Sequence, residues 1–533
     1  MDIIKPEFGR EEGKAVGFMS PEQCFATLRE RIPRTWKLTF ASALVFGLAA
    51  HFYKLVNWLP NWDSLVFRYD AQDMLSLGRC FLSAACALSS YYDLPFFNGM
   101  LALLYLGCCA VCVTALFRLQ TPVACVLTGG FIAAFPTITS TLIYSYVADG
   151  YALALLCACG AAACFARPGR GRFVLGVALL AFSLGVYQAY ITVTILLLLA
   201  CLLDGLLFAG DSARTSLQRA GRCLLGGVLS GVVYLLCLKG MLLISGTPLS
   251  DYQGIGRAHG LSVRYVLRAC AKCIQRFVRF FCDPRAGVTT WSIANLLMLA
   301  LLAVFVVLAA RRRIGADWGR LALCLVYIAA LPFGAAALYF LNPWLDYHNL
   351  MTMGYCVFYL AFVLFYEREL PGFSAKNWCI LLLSGVLLFQ CVLLANVCWH
   401  KLQMAWEQSY GITIRMADRI EQADGALSCT KLAVLGELPD SEDYSSLLWL
   451  DMTGVTDGLV LRADDPLVNQ SVLTATLNDY AHLDYTFATK EEKEALAALP
   501  AVQQMPCWPE SGSVAVVGDT VVVRLSEGVD RYE

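Results

Sequence analysis

Charged side chains are scarce in this chain. They make up 15% of its 533 residues, whereas hydrophobic residues make up 58% and the mean hydropathy is +0.61. Soluble domains carry roughly 25% charged residues, so the composition excludes a soluble globular protein. Apolar runs of about 17 to 24 residues, the length that a helix needs to cross a bilayer, recur as far as residue 398. The sequence therefore predicts a polytopic α-helical membrane protein.

Residue patterns that mark metal and nucleotide chemistry are also lacking. The five histidines are scattered, and no run places four Cys or His ligands at a zinc-finger spacing. The sequence contains no Walker motif, HExxH motif or serine nucleophile elbow. Most of the 23 cysteines lie inside apolar runs, where cysteine behaves as a small hydrophobic residue. We therefore predict no metal and no cofactor; whether Cys429 and Cys507 form a disulfide depends on the compartment of the tail.

The remaining charge is divided unevenly along the chain. Residues 401–533 hold 9 Lys and Arg against 22 Asp and Glu, and residues 1–400 hold 31 against 19. The basic charge lies in short loops beside lipid rather than on one exposed domain, which argues against nucleic acid as a partner. An acidic tail therefore follows a basic membrane part.

The membrane part is predicted to follow a short cytoplasmic segment, residues 1–36. There Ser20-Pro21-Glu22-Gln23 is typical of a helix N-terminus and opens an interfacial helix that ends near Ile32. The transmembrane domain, residues 37–398, contains eleven predicted spans, and its longest apolar stretch is split at Ser183–Gln188 by small and polar residues. The spans cover about 37–56, 96–117, 121–141, 149–166, 172–186, 188–209, 222–245, 287–310, 320–341, 349–366 and 377–398.

Lysine and arginine placement predicts the orientation. Alternate loops carry Arg118, residues 167–172, residues 214–222, residues 311–313, and Arg368 with Lys376, so these loops are predicted to be cytoplasmic. The loop over residues 57–95 and the acidic tail then lie outside the cytoplasm. The main exception is the segment 257–285, which is outside by parity but basic.

The tail, residues 399–533, is predicted to be a small extracytoplasmic α/β domain. It contains a helical stretch over 402–421, a strand over 431–435 and a second helix over 490–498. Strands over 513–517 and 520–525 flank Gly518-Asp519, a two-residue hairpin signal.

The first outer loop carries the densest group of reactive side chains. Asp63, Asp70 and Asp73 lie near Arg68 and Arg79, just after a membrane helix. Carboxylates accept protons from hydroxyl groups, and the guanidinium fork suits a phosphate oxyanion. The alternative is a solvated loop whose charges only mark topology.

Other polar residues stand at predicted outer helix ends. Asp149, Asp346 and His348 are candidates for substrate binding, with solvated helix caps as the alternative. Tyr187 and Gln188 lie at the turn between two spans, where a buried amide needs partners in the protein or in a ligand.

The basic segment predicts an amphipathic helix on the outer leaflet. Its basic residues recur every three or four positions and share one face, whereas apolar side chains fill much of the other side. The basic face consists of Arg264, Arg268, Lys272, Arg276 and Arg279, and the apolar side contains Val266, Cys270, Ile274, Phe277 and Phe281. Two roles remain open: attraction to anionic headgroups, and capture of a polyprenyl phosphate.

Several short motifs follow one another in the first 200 residues: Asp63, Gly78-Arg79, Asp93-Leu94-Pro95, Phe135-Pro136 with Tyr144 and Asp149, and Ser183-Leu184-Gly185-Val186-Tyr187-Gln188-Ala189-Tyr190. In this order they resemble the Gtr-type (type II) glucosyltransferases, bacterial and phage membrane enzymes that add glucose to O-antigen or other surface polysaccharide. The family often has two adjacent acids where this chain has Trp62-Asp63, so Asp70 and Asp73 remain alternatives for the base.

The resemblance implies a GT-C-like fold in the bacterial cytoplasmic membrane and a polyprenyl-phosphate sugar donor. A cytoplasmic-side polyprenyl-phosphate glucosyl synthase would make the donor and a flippase would turn it outward. The acceptor would be a surface polysaccharide, attacked with inversion at the anomeric carbon. An acidic base in the first outer loop would deprotonate the acceptor, and arginine would stabilise the departing phosphate without a metal.

Two other classes of function compete with this reading. A lipid-linked saccharide transporter or flippase needs ionisable residues near the membrane midplane, whereas Asp204 and Lys239 lie near predicted span ends. A non-catalytic scaffold with a sensing tail is the third possibility. Substitution of Asp63 would distinguish it from the enzyme.

Overall fold

The computed structural model describes residues 20–67, 69–250, 262–282, 290–370, 375–436, 438 and 474–527. Within these residues the α-helices are α1 (Pro21–Arg31), α2 (Arg34–Val56), α3 (Trp62–Val66), α4 (Leu82–Cys86), α5 (Pro95–Phe117), α6 (Pro122–Ala134), α7 (Pro136–Ile143), α8 (Ser145–Phe165), α9 (Arg170–Val186), α10 (Ile191–Leu207), α11 (Ala213–Ser245), α12 (Val263–Cys282), α13 (Thr290–Arg313), α14 (Trp318–Ala335), α15 (Cys356–Glu367), α16 (Lys376–Gln422), α17 (Lys490–Ala497) and α18 (Pro500–Gln503). The strands are β1 (Lys431–Leu435), β2 (Thr486–Phe487), β3 (Val514–Val517) and β4 (Thr520–Arg524).

The predicted N-terminal helix is confirmed as α1. Ser20 and Gln23 exchange two hydrogen bonds: the Ser20 N–H donates to Gln23 Oε1 at 3.0 Å, and the Gln23 N–H donates to Ser20 Oγ at 3.2 Å. This reciprocal pair satisfies two of the donors that a helix start leaves free.

Ten helical segments in the described part of the chain are long and apolar enough to cross a membrane. They confirm a multi-pass membrane protein. They are α2, α5, α6 with α7, α8, α10 with the 3-10 turn before it, α11, α13, α14, α15 with the turns before it, and α16.

The fifth predicted span, over 172–186, is not among these ten segments and coincides with α9. This helix has 17 residues, which is about 25 Å of rise and somewhat less than a hydrocarbon core of roughly 30 Å. The break after α9 lies where the sequence predicts it, because α9 ends at Val186 and a 3-10 turn begins at Gln188.

Prolines set several helix starts. Pro95, Pro122 and Pro136 each occupy the first turn of a helix, where the missing N–H costs no intrahelical bond. Pro136 also divides one span into α6 and α7, since its ring cannot continue the preceding helix.

The helices α2, α5, α6 and α8 pack closely on one another through small residues. A Cβ atom on Gly129 of α6 would lie 2.5 Å from the Thr39 carbonyl oxygen of α2, so only glycine permits this approach of two backbones. Close contact through small residues is a main source of helix association in a membrane.

The tail contains a four-stranded sheet with strand order β2-β1-β4-β3. β1 is parallel to β2 and β4, and β3 and β4 form the predicted antiparallel hairpin around Gly518, which has φ +66. The predicted domain boundary at residue 398 lies inside α16, so the last membrane helix and the first helix of the tail are continuous.

The tail packs on the segment between α2 and α5. Leu65 of α3 is 2% exposed and shares a core with Met416 and Ile420 of α16. The indole ring of Trp58 packs edge-on against Trp406 at 5.4 Å and stacks on Tyr480 at 5.9 Å. We call the end of the membrane bundle on which the tail packs the tail side.

Candidate active site

The short helix α3 presents Asp63 at the tail side. Asn61 caps this helix, because its Oδ1 accepts a hydrogen bond from the Ser64 N–H at 2.9 Å. Ser64 and Leu65 are buried, so the helix is held from both the membrane bundle and the tail. Asp63 itself is half-buried, and its charge acts on the hydroxyl groups of Tyr146 and Tyr151 in α8.

Arg79, farther along the same loop, contacts Tyr151 and also Tyr187. Its Nη1 donates to the Tyr151 hydroxyl at 2.7 Å and to Met74 Sδ at 3.1 Å. Its Cζ lies 5.8 Å from the ring centre of Tyr151 and 5.6 Å from that of Tyr187, and the two rings stack at 4.5 Å. The structure thus brings Asp63 and Arg79 to one aromatic cluster.

Gln188 positions the loop that carries Arg79. Its Nε2 donates to the Gly78 carbonyl oxygen at 3.1 Å and to the Tyr234 hydroxyl at 3.2 Å, and that hydroxyl donates to the same carbonyl at 2.9 Å. Gly78 has φ +76, and an added Cβ would lie 2.9 Å from the Tyr234 oxygen. The amide nitrogen of Gln188, a predicted substrate-binding residue, therefore donates to groups of the protein.

Asp70 and Asp73 serve local turns. Asp70 Oδ1 accepts from the Gln72 N–H at 2.7 Å, and Asp73 Oδ1 accepts from the Leu75 N–H at 3.4 Å. Such turns are typical of aspartate in loops. Of the three candidate bases, Asp63 is the one placed beside Tyr146 and Tyr151; Arg68 lies outside the described residues.

Asp149 is buried away from these groups. It is 1% exposed, and in the described part of the chain neither carboxylate oxygen has a hydrogen-bond partner. It faces Ser89, whose hydroxyl donates instead to the Cys86 carbonyl oxygen at 2.9 Å. Burial, and secondly the charge of Asp149, raise the pKa of the Cys86 thiol.

A second polar group lies at the tail side where α12 packs on residues 340–348. The Tyr265 hydroxyl donates to the Leu341 carbonyl oxygen at 2.6 Å. The guanidinium of Arg268 lies 4.8 Å from the ring centre of Trp344, and that of Arg276 lies 5.2 Å from the ring centre of Tyr347.

The predicted pair Asp346 and His348 flanks Tyr347. His348 Nδ1 lies 3.5 Å from Asp346 Oδ2, and the Asp346 side chain is 81% exposed. Burial raises the pKa of the Tyr347 hydroxyl, which donates to the carbonyl oxygens of Ala335 and Met351 at 3.1 Å. Asp346 therefore faces solvent beside a rigid turn.

The faces of α12 differ from the prediction. Ala269, Cys273 and Phe281 are buried against the protein, whereas Val266 and Ile274, expected beside Phe281 on one apolar side, are 40% and 49% exposed. The basic face is retained: Arg264 and Arg268 are exposed, and Lys272 is half-buried. The helix docks on the turns before α15. It therefore has three faces, one docked, one basic and one apolar and exposed, whereas the sequence predicts only a basic face and an apolar side.

Both polar groups contact residues at the start of α10. The ring centres of Tyr187 and Tyr190, which directly precede α10, lie 5.2 Å apart. Gly354 packs on Thr192 in the first turn of α10, and its neighbour Tyr355 stacks on Phe280 of α12 at 4.2 Å. In the described part of the chain the hydroxyl groups of Tyr187, Tyr190 and Tyr355 are buried without a hydrogen-bond partner.

Sequence reasoning missed Tyr151, Tyr234 and Tyr355. Tyr151 follows Tyr144, the residue directly before α8, by seven positions, about two helical turns; this spacing was the available signal. Nothing local marks Tyr234 or Tyr355, because their partners lie far along the chain. Among the described residues, no three His, Cys, Asp or Glu side chains form a group that could hold a metal ion.

Comparison with known proteins gives one finding. The family model described as Glucosyl transferase GtrII matches residues 52–365 of this chain. No curated protein and no solved structure matches it. The matched segment includes α3, Arg79, Tyr151, Gln188 and α12.

Proposed function

Because this chain belongs to the glucosyl transferase GtrII family, we propose that it transfers glucose from a polyprenyl-phosphate donor to a surface glycan. The reaction takes place at the tail side of the membrane bundle. The observation that carries the proposal is that Arg79 donates a hydrogen bond to Tyr151 and that Asp63, from the same loop, acts on this tyrosine through its charge.

Asp63 acts as the general base. The acceptor hydroxyl donates a hydrogen bond to the carboxylate, and its oxygen attacks C1 of the glucosyl group. The new C1–O bond forms as the bond from C1 to the phosphate oxygen breaks, and the acceptor proton passes to Asp63. Attack on the face opposite the leaving group inverts the anomeric carbon.

Arg79 stabilises the leaving polyprenyl phosphate. Charge builds up on the phosphate oxygen as the C1–O bond breaks, and a preorganised guanidinium stabilises this charge without reorganising solvent. Tyr151 and Tyr187 hold the guanidinium plane, and Gln188 fixes the backbone at Gly78, one residue before it. No step of this mechanism uses Asp149, whose carboxylate is buried against the loop near Ser89.

The basic face of α12 receives the donor. Arg264, Arg268 and Lys272 attract the lipid phosphate from the membrane surface, since each basic residue near an anionic surface contributes about 1 kcal/mol. Asp346 and His348 lie on the exposed rim of the same group, where hydroxyl groups of the acceptor approach.

The tail side faces away from the cytoplasm of a bacterial cell, and the protein lies in the cytoplasmic membrane. The arginine-rich loops at the other ends of the helices support this orientation. The donor then has to be made by a cytoplasmic-side polyprenyl-phosphate glucosyl synthase and turned outward by a flippase before it reaches Arg79.

The test is reconstitution of the purified protein with polyprenyl-phosphate glucose and the surface glycan of a strain that lacks the protein. We expect labelled glucose to appear on the glycan, and cells without the protein to lose one hexose from an otherwise intact polymer. Loss of the whole polymer, without transfer in the reconstituted system, would indicate a transporter instead.

A further inference from the structure

A long apolar groove runs between α10, α13, α14 and α15. It encloses about 440 Å³. Its one acidic side chain, Asp204, is occupied by Arg368, whose Nε and Nη2 lie 2.7 and 2.9 Å from the two carboxylate oxygens. The lining includes the apolar side chains of Leu196, Leu203, Leu302, Val306, Ile328 and Phe358. Apolar side chains cannot form the hydrogen bonds that hold a sugar.

The length of the groove suits an extended chain better than a compact ligand. Along α10 its lining extends from Leu196 to Phe208, which is about 18 Å of helix rise. That length is more than half of a hydrocarbon core of roughly 30 Å. An extended hydrocarbon chain fits this shape.

The groove opens toward the lipid between α13 and α14. These helices are joined by a short turn, but they diverge from it, and α12 packs across both of them at the tail side. Val307 and Leu325 line the groove and are 55% and 60% exposed, so they lie at its mouth. A lipid chain can enter sideways from the bilayer through this opening.

A positive charge stands at the tail-side end of the groove. Phe277 lines that end, and the residue before it, Arg276, has its buried Nε without a hydrogen-bond partner among the described residues. Lys272 and Arg268 follow on the same face, one and two turns away. The ring centres of Phe277 and Tyr355 lie 6.3 Å apart, and Gly354, the neighbour of Tyr355, packs on Thr192 in the first turn of α10.

We propose that this groove holds the prenyl chain of the donor lipid, which enters between α13 and α14 with its phosphate end directed past Arg276 toward the tail side. The proposal rests on the function proposed above and adds the site of the lipid chain. A chain held along α10 leads the glucosyl group toward Arg79 and Asp63 at the start of that helix.

The first test narrows the mouth of the groove. Ala303 of α13 is exposed and lines the groove. Ala329 of α14 is also exposed but is not a lining residue, so Ala303→Trp and Ala329→Trp form a matched pair. With a long-chain polyprenyl-phosphate glucose, Ala303→Trp should raise the KM at least about tenfold, because the excluded methylene groups lose their burial. Ala329→Trp, and both variants with a donor of two isoprene units, should keep the wild-type KM.

The second test does not depend on catalysis. A polyprenyl phosphate with a diazirine at its far end should cross-link the purified full chain on α10 or α13, and excess unlabelled polyprenyl phosphate should abolish the label. Labelling outside the groove would overturn the proposal, because the prenyl chain would then bind elsewhere. Equal competition by phosphatidylglycerol would also overturn it, because the groove would then bind lipid chains of any kind.

The outcomes separate this proposal from the function on which it rests. Glucose transfer with equal KM values for Ala303→Trp and Ala329→Trp would refute the groove and leave the transferase reaction intact. Competed cross-links in the groove of a protein that transfers no glucose would support the lipid site and refute the proposed reaction.

Discussion

Replacement of Arg79 by lysine tests whether the shape of the guanidinium, and not only its charge, serves the reaction. Arg79 donates to the Tyr151 hydroxyl at 2.7 Å, while its Cζ lies 5.8 and 5.6 Å from the ring centres of Tyr151 and Tyr187. Lysine keeps the charge. Its ammonium cannot make a planar two-point contact with a phosphate while it also holds Tyr151.

The size of the effect follows from the contacts that are lost. A hydrogen bond from a charged donor contributes about 1.5 to 3 kcal/mol, and a partly desolvated cation–π contact contributes about 1 to 2 kcal/mol. Lysine recovers part of each, so we expect a net loss near 2 kcal/mol in transition-state stabilisation. That loss is about a thirtyfold fall in kcat/KM.

The assay measures glucose transfer from a short-chain polyprenyl-phosphate glucose by the purified variant, with folding checked by gel filtration. Arg170→Lys is the matched control, since Arg170 is exposed at the start of α9, on the other side of the bundle from Arg79. A kcat/KM within twofold of the wild-type value for Arg79→Lys would refute the role given to the guanidinium fork.

Three further predictions concern positioning, donor capture and topology. Gln188→Ala removes the amide that holds Gly78, so kcat should fall about tenfold with little change in donor KM; a change confined to KM would show direct substrate binding instead. Combined Arg264→Glu and Arg268→Glu should raise donor KM more than they lower kcat, because remote contacts mainly bind, and unchanged donor dependence would leave only attraction to headgroups. A cysteine at Ser511 should react with a membrane-impermeant thiol reagent in intact spheroplasts and one at Ala213 only after lysis; labelling of Ala213 from outside would overturn the orientation.

Local patterns predict most of the fold of this protein. Apolar runs of bilayer length, the proline-marked helix starts and the Gly518-Asp519 hairpin all depend on residues that are close in sequence. The fifth span is the weakest case, because α9 is only 17 residues long. Composition marks the boundary near residue 398, but it does not reveal that α16 continues across it while its surroundings change from lipid to the tail.

The site is less predictable because it depends on contacts between distant segments. The resemblance singled out Asp63, Gly78-Arg79 and Gln188 one by one, but their relation requires α8 and α11 to supply Tyr151 and Tyr234. The amide of Gln188 does need partners, as its position in a buried turn predicts, and those partners are protein groups. The docked face of α12 exists because the turns before α15 pack beside it, which periodicity in α12 alone cannot reveal.

The most direct test of the proposed function is the rate of glucose transfer by Asp63→Asn, compared with Asp70→Asn and Asp73→Asn as controls in the same loop. Asparagine keeps the size of the side chain and removes the base, so loss of general-base catalysis should lower kcat by about 10² to 10⁴. Asp70→Asn and Asp73→Asn should retain most of the activity, because an amide oxygen still accepts the turn hydrogen bonds. Near-normal turnover by Asp63→Asn, with either control inactive, would contradict the assignment of Asp63 as the base.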